Sequence, residues 1–249
     1  MRTLNQQKME RLIEQGYEFR LGDYISEGFS IMQKQMGLFV GFTIVFFLIV
    51  MGAQIVPVVG PIASSFFLSP PLVAGFYLVS HKIKLGEPIT FNDFFSGFTF
   101  VGPLAIATLV LTIFYVVGMV PFIMAVGTSI FLGEFTGFEM FPFWSFFLLL
   151  PLVYLGVAYS WTSLFIVFHK MEFWPAMELS RKIVTKNWWQ IFLFAIAIGF
   201  VNLAGVLALG VGLLFTVPAS LAAQYAAFAD VTRLMEEEEA DEIVDHLVD

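Results

Sequence analysis

The chain has no cysteine, which excludes disulfides, thiol catalysis and cysteine-based metal sites. Charge is also scarce. Only 13% of residues are Asp, Glu, Lys or Arg, against roughly 25% in an ordinary soluble domain. These few charges are confined: none lies between Lys34 and Lys82, Asp93 and Glu134, Glu139 and Lys170, or Lys186 and Asp230. A charge at a helix centre costs about 2.5–3.5 kcal/mol on insertion scales, so such empty stretches mark passage through a membrane. No ionisable side chain falls mid-span, which argues against a proton relay. The first 35 or so residues are polar and amphipathic, without the apolar core and small-residue cleavage site of a signal peptide.

What is abundant is apolar surface. Hydrophobic residues make up 59% of the chain and mean hydropathy is +0.86, more than a soluble fold of this length can bury. The expectation is an all-α integral membrane protein. Six spans are expected, at about 37–56, 61–81, 101–126, 145–168, 189–208 and 211–230. All twelve Lys and Arg residues then fall on one side, and the loops near Pro57, Gly133 and Gly210 contain none. The positive-inside rule places both termini in the cytosol, and the protein is expected in the cell's inner membrane. The net charge of -8 resides largely in the C-terminal tail, which makes nucleic acid a poor partner.

Three segments with helical apolar periodicity precede spans: 21–36, 90–98 and 172–188. Each is expected to lie in the membrane interface. Residues 1–20 read as a short cytosolic helix, His81–Pro88 as a turn, and Gly127–Trp144 as an outer loop. The 21–233 membrane domain divides into three parallel repeats of amphipathic helix plus hairpin, at about 21–82, 88–170 and 172–233. Glu27, Asp93 and Glu178 sit nine or ten residues before the span starts Gly37, Gly102 and Trp188. Pro71 and Pro218 each precede a tyrosine, Tyr77 and Tyr225, by about two turns, and His81-Lys82 matches His169-Lys170. The second repeat fits less well, because Pro151 lies eight residues farther from its His-Lys pair than Pro71 does.

SPPLVAGFYLVSHKIKLGEPITFNDFFSGF (69–98), with AMELSRKIVTKNWWQIFLFAIAIGFVNLAGVLALGVG (176–212), resembles a broad, poorly characterised group of prokaryotic polytopic membrane proteins. That group includes the membrane domain attached to some glycerophosphodiester phosphodiesterases. The resemblance covers most of 21–233 and rests on structural motifs: a Pro-containing second helix, a G-E-P turn and a basic helix before a span. It implies the fold. With no room left for a soluble phosphodiesterase domain, that activity is not implied.

Candidate sites each have a bland alternative. Arg181, Lys182 and Lys186, beside Trp188 and Trp189, suit anionic lipid headgroups, yet ordinary interfacial anchoring explains the same residues. Glu27, Asp93 and Glu178 read as a gating ring of carboxylates, or as pins pairing with Lys34, Lys84, Arg181 or Lys182. Pro70, Pro71 and Pro218 are expected to break the second helices of their hairpins, and a transport path would run there. Gln54, Asn202 and Gln224 read as interhelical amides, and Gly60/Ser64, Ala195/Gly199 and Ala219/Ala223 as small packing faces. His81, His169 and His246 lack metal-ligand spacing, and Ser64 and Ser69 lack a catalytic partner. No enzyme, metal or cofactor is expected. The acidic tail 234–249 reads as a solvated segment, or as a short helix docking a membrane or cytosolic protein. The function expected is a non-enzymatic scaffold or accessory subunit, lipid-binding through its basic interfacial helices. The alternative is a transporter or lipid-translocating protein.

Overall fold

The computed structural model describes residue 14, residues 16–131 and residues 143–235. Most of the expected N-terminal helix and nearly all of the acidic tail lie outside these. The described residues are helical with no strand. Helix α1 is Leu21–Lys34, α2 is Met36–Ala53 and α3 is Val59–Leu85. A 3₁₀ helix, Phe91–Phe100, leads into α4, Val101–Phe131. A second 3₁₀ helix, Phe143–Leu149, leads into α5, Leu150–Ala158, and then α6, Thr162–Phe168. Helices α7, Phe173–Lys186, α8, Trp188–Leu207, and α9, Leu213–Thr232, follow.

Among the described residues, five helical stretches are long and apolar enough to cross a membrane: Met36–Ala53, Val59–Leu85, Phe91–Thr128, Phe143–Phe168 and Trp188–Leu207. Helix α9 is of comparable length, but Pro218, Gln224 and Asp230 lower its apolarity. Its chain from Pro218 to Thr232 is nearly all buried by neighbouring helices, and a helix walled in by protein has little need of a lipid-soluble surface.

Several boundaries differ from those expected, each for a local reason. Helix α3 continues to Leu85 rather than ending at His81. It stops at Gly86, whose left-handed backbone (φ 77°) lets Glu87 N–H reach Lys82 O at 2.9 Å. Residues 127–131 continue α4 and are not loop. Residues 16–20 are not helical, since their backbone follows side chains, Tyr17 and Phe19, that pack toward Trp161. The segment before α4 is a 3₁₀ helix closed by a capping box. Asp93 Oδ2 accepts from Thr90 N–H at 2.6 Å.

Prolines break less than expected. Pro70 and Pro71 open the last stretch of α3, directly after a π-helical turn at Ser64–Leu68 that absorbs the irregularity. Pro218 does not break α9, which runs through it without interruption. The real break lies in the fourth hydrophobic stretch, at Tyr159–Trp161, where neither proline nor glycine stands.

The packing closes on itself. The 3₁₀ helix 91–100 lies on α3, α7 lies on α6, and α1 lies on α9. The core sits in this layer, among Tyr24, Phe42, Phe76, Phe94, Trp161, Ile183 and Phe228. Toward the other ends of the hairpins the apolar side chains are largely exposed, among them Leu48, Met51, Val116, Val117 and Leu207.

Candidate functional site

Three small residues seat the amphipathic segments. A Cβ added at Gly28 in α1 would lie 2.5 Å from Ala219 O and from Ala223 N. A Cβ at Gly97 would collide with Pro71 O and lie 2.9 Å from Gly75 N, and one at Gly75 would collide with Phe94 O. On α7 the seat is Ser180. Its hydroxyl donates to Ala158 O at 2.9 Å and accepts from Trp161 N–H at 3.3 Å, occupying the break between α5 and α6. A side chain inserted into the helical ladder is a recognised cause of such a break. The joint after two of these seats also recurs: Gln35 (φ -138°, ψ 44°) and Asn187 (φ -122°, ψ 40°) separate Lys34 from Met36 and Lys186 from Trp188. The far ends of the second helices end alike, with left-handed backbone at Gly86, Lys170 and Arg233.

Polar contacts reinforce the layer. Asp230 on α9 accepts from Tyr24 OH at 2.6 Å and from Arg20 at 2.9 Å. Burial, then that carboxylate, pushes the Tyr24 phenol up to about 12. Lys82 meets Asp93 Oδ1 at 2.8 Å, and this ammonium, with the Thr90 backbone, holds the Asp93 carboxyl below its usual range. Lys84 meets Glu27 at 2.7 Å. Glu178 behaves differently: it binds Arg181 at 2.8 and 3.0 Å and Lys182 at 3.3 Å, all on α7 itself. The guanidinium lowers the Glu178 pKa and the carboxylate raises that of Arg181. The three carboxylates therefore sit in separate pairs, two between helices and one within a helix.

The second helices converge on an aromatic centre. Tyr77 OH donates to Gln224 Oε1 at 2.9 Å, and His81 Nδ1 lies 2.7 Å from Tyr225 OH. Ring centroids stand 4.9 Å apart for Phe165 and Phe228, 5.5 Å for Phe168 and Tyr225, and 5.0 Å for His81 and Phe168. Of the other amides, Asn202 donates to Ser220 Oγ at 3.0 Å, joining α8 to α9, whereas Gln54 donates to Val50 O of its own helix. Ala219 and Ala223 form a used packing face; Gly199 has open space beside it.

At the end of α7, Lys186 is exposed and makes no ion pair among the described residues. Trp188 stacks on Phe192 at 4.9 Å and faces Tyr154 at 6.2 Å, while Trp189 is 69% exposed. Sequence reading missed Gly28, Gly97, Ser180, Tyr154 and the Tyr24–Asp230 bond. For two of these a signal existed, since Gly28 and Ser180 both stand eight residues before a span start, Met36 and Trp188.

No family model, curated protein or solved structure matches the chain. The likeness to phosphodiesterase-linked membrane domains therefore rests on the residue pattern alone.

Proposed function

We propose that the protein is a non-enzymatic scaffold or accessory subunit of the inner membrane, binding lipid through its basic interfacial helices. In this reading α9 is a sixth span and both termini are cytosolic. The three amphipathic-helix-plus-hairpin units are parallel repeats about an axis near the membrane normal. The observation that carries the reading is that the residues a path would need are already engaged. Pro71 presents its carbonyl to Gly97, and Ala219, next to Pro218, presents its own to Gly28. The second helices also meet directly, through Phe165 on Phe228, Phe168 on Tyr225 and Tyr77 OH on Gln224. A body closed in this way offers its surface: exposed apolar faces for lateral association and basic α7 for lipid.

The decisive experiment reconstitutes the protein in vesicles containing a fluorescent phospholipid and follows bleaching by external dithionite. The scaffold reading expects bleaching to stop at the outer leaflet, as in protein-free vesicles. Bleaching of the inner leaflet would overturn it in favour of lipid translocation. Native mass spectrometry of gently extracted protein then reads the partner: a stoichiometric complex with another membrane protein is the expected result.

A further inference from the structure

The basic helix α7 carries three cations and one carboxylate on its outward side, but they are not equivalent. Glu178 engages Arg181 and Lys182. Lys186, one turn farther on, is exposed and makes no ion pair among the described residues. The break at Tyr159–Trp161 sets α5 against this end of α7. Tyr154 OH lies 3.2 Å from Thr185 Oγ1, and the Tyr154 carbonyl accepts from Trp188 Nε1 at 3.5 Å. Below this polar corner the exposed residues Trp189, Leu193, Ile196 and Phe200 form one apolar stripe along α8. Cations, hydroxyls, an indole and an apolar track thus follow one another in the order of a phospholipid's phosphate, glycerol region and acyl chain.

We propose that this corner is a headgroup site for an anionic phospholipid, with Lys186 as its free cation and Arg181 held in place by Glu178. The stripe on α8 selects a membrane lipid over a soluble anion, because a free phosphate has no use for it. The site deepens the scaffold reading, and both place α7 at the lipid interface.

An internal control exists in the same chain. Lys34 occupies the matching place in α1, before Gln35 and Met36, and is equally exposed. It lacks the surroundings: positions 29 and 30, which correspond to Arg181 and Lys182, are Phe29 and Ser30. Full-length protein in detergent is titrated with phosphatidylglycerol or phosphatidylcholine, and lipid retention is read by native mass spectrometry. Wild type is expected to retain phosphatidylglycerol preferentially. Lys186→Gln should lower that retention about fivefold, the equivalent of about 1 kcal/mol per basic residue at an anionic surface. Lys34→Gln should leave it unchanged.

Equal losses in the two variants would mean unspecific interfacial anchoring, and no loss in either would place the lipid elsewhere; each overturns the site. Displacement of the lipid by inorganic phosphate would reassign the corner to a soluble anion. Retention lost in Lys186→Gln alone would stand even if the dithionite assay removed the scaffold reading. The two ideas therefore fail separately.

Discussion

Gly28 and Gly97 make the same contact on two different helices. Each brings its α-carbon against a carbonyl oxygen and the amide nitrogen four residues later: Ala219 O and Ala223 N for Gly28, Pro71 O and Gly75 N for Gly97. A methyl group in either place must push backbone aside, and backbone held in two helices yields poorly. Gly28→Ala is therefore expected to cost about 1–3 kcal/mol, the usual range for overpacking. Gly22, on the same helix with open space around its α-carbon, is the control. Gly22→Ala should be neutral or stabilising by up to about 1 kcal/mol, from helix propensity. Thermal unfolding in detergent separates the two; a Gly28→Ala protein as stable as Gly22→Ala would refute the seat.

Ser180 answers for a break that nothing nearby in its own stretch explains. Its hydroxyl satisfies Ala158 O and Trp161 N–H together. Ser180→Ala leaves both without that partner in a buried place, at a cost of about 1–3 kcal/mol. The effect should be local. Hydrogen exchange at the Trp161 amide is expected to accelerate while that of α9 stays slow, and an unchanged Trp161 amide would remove Ser180 from this role.

Asp93 predicts a response to acid. Asp93 is held below its unfolded pKa by Lys82 and the Thr90 backbone. Its contribution is therefore fully present above the unfolded value, near 3.9, and is lost as pH falls through the lower folded value. Asp93→Asn should lower stability at neutral pH by up to about 1 kcal/mol and flatten the acid limb of the stability profile. Glu27→Gln removes the bond to Lys84 between α1 and α3 and should also destabilise. Glu178→Gln should do least, because its partners share its helix. Unfolding midpoints between pH 3 and pH 7 for the three variants would test this order, and equal effects would contradict it.

The separation of apolar runs from charges was legible from composition and spacing. So were the positions of the long helices to within a few residues. Turn chemistry was partly legible: G-E-P ended α3, although a few residues later than the charges implied, since Lys82 and Lys84 stay helical while reaching sideways to Asp93 and Glu27. What could not be read was tertiary in origin. The break at Tyr159–Trp161 is filled by Ser180, nineteen residues or more away in sequence. Pro218 looked like a breaker because proline removes a backbone donor, yet α9 is enclosed on most sides and holds its course. Glu178 looked like the counterpart of Glu27 and Asp93; its neighbours three and four residues on claimed it first.

Sidedness is the remaining question that a direct measurement answers, and the absence of native cysteine makes it clean. Six spans put Val58 and Leu209, both at left-handed turns between helices, on the side opposite to Lys34, Lys186 and Arg233. Single cysteines at these positions, in vesicles of known orientation, are treated with an impermeant maleimide. Positions 58 and 209 should label from the outside, and 34, 186 and 233 only after permeabilisation. The informative residue is Arg233, because α9 is the helix whose composition alone does not demand a membrane crossing. Labelling of position 233 from the outside would mean that α9 does not cross. Its burial among α1, α3 and α8 would then belong to a re-entrant helix. The charge segregation that places every Lys and Arg on one face would also fail at its last member.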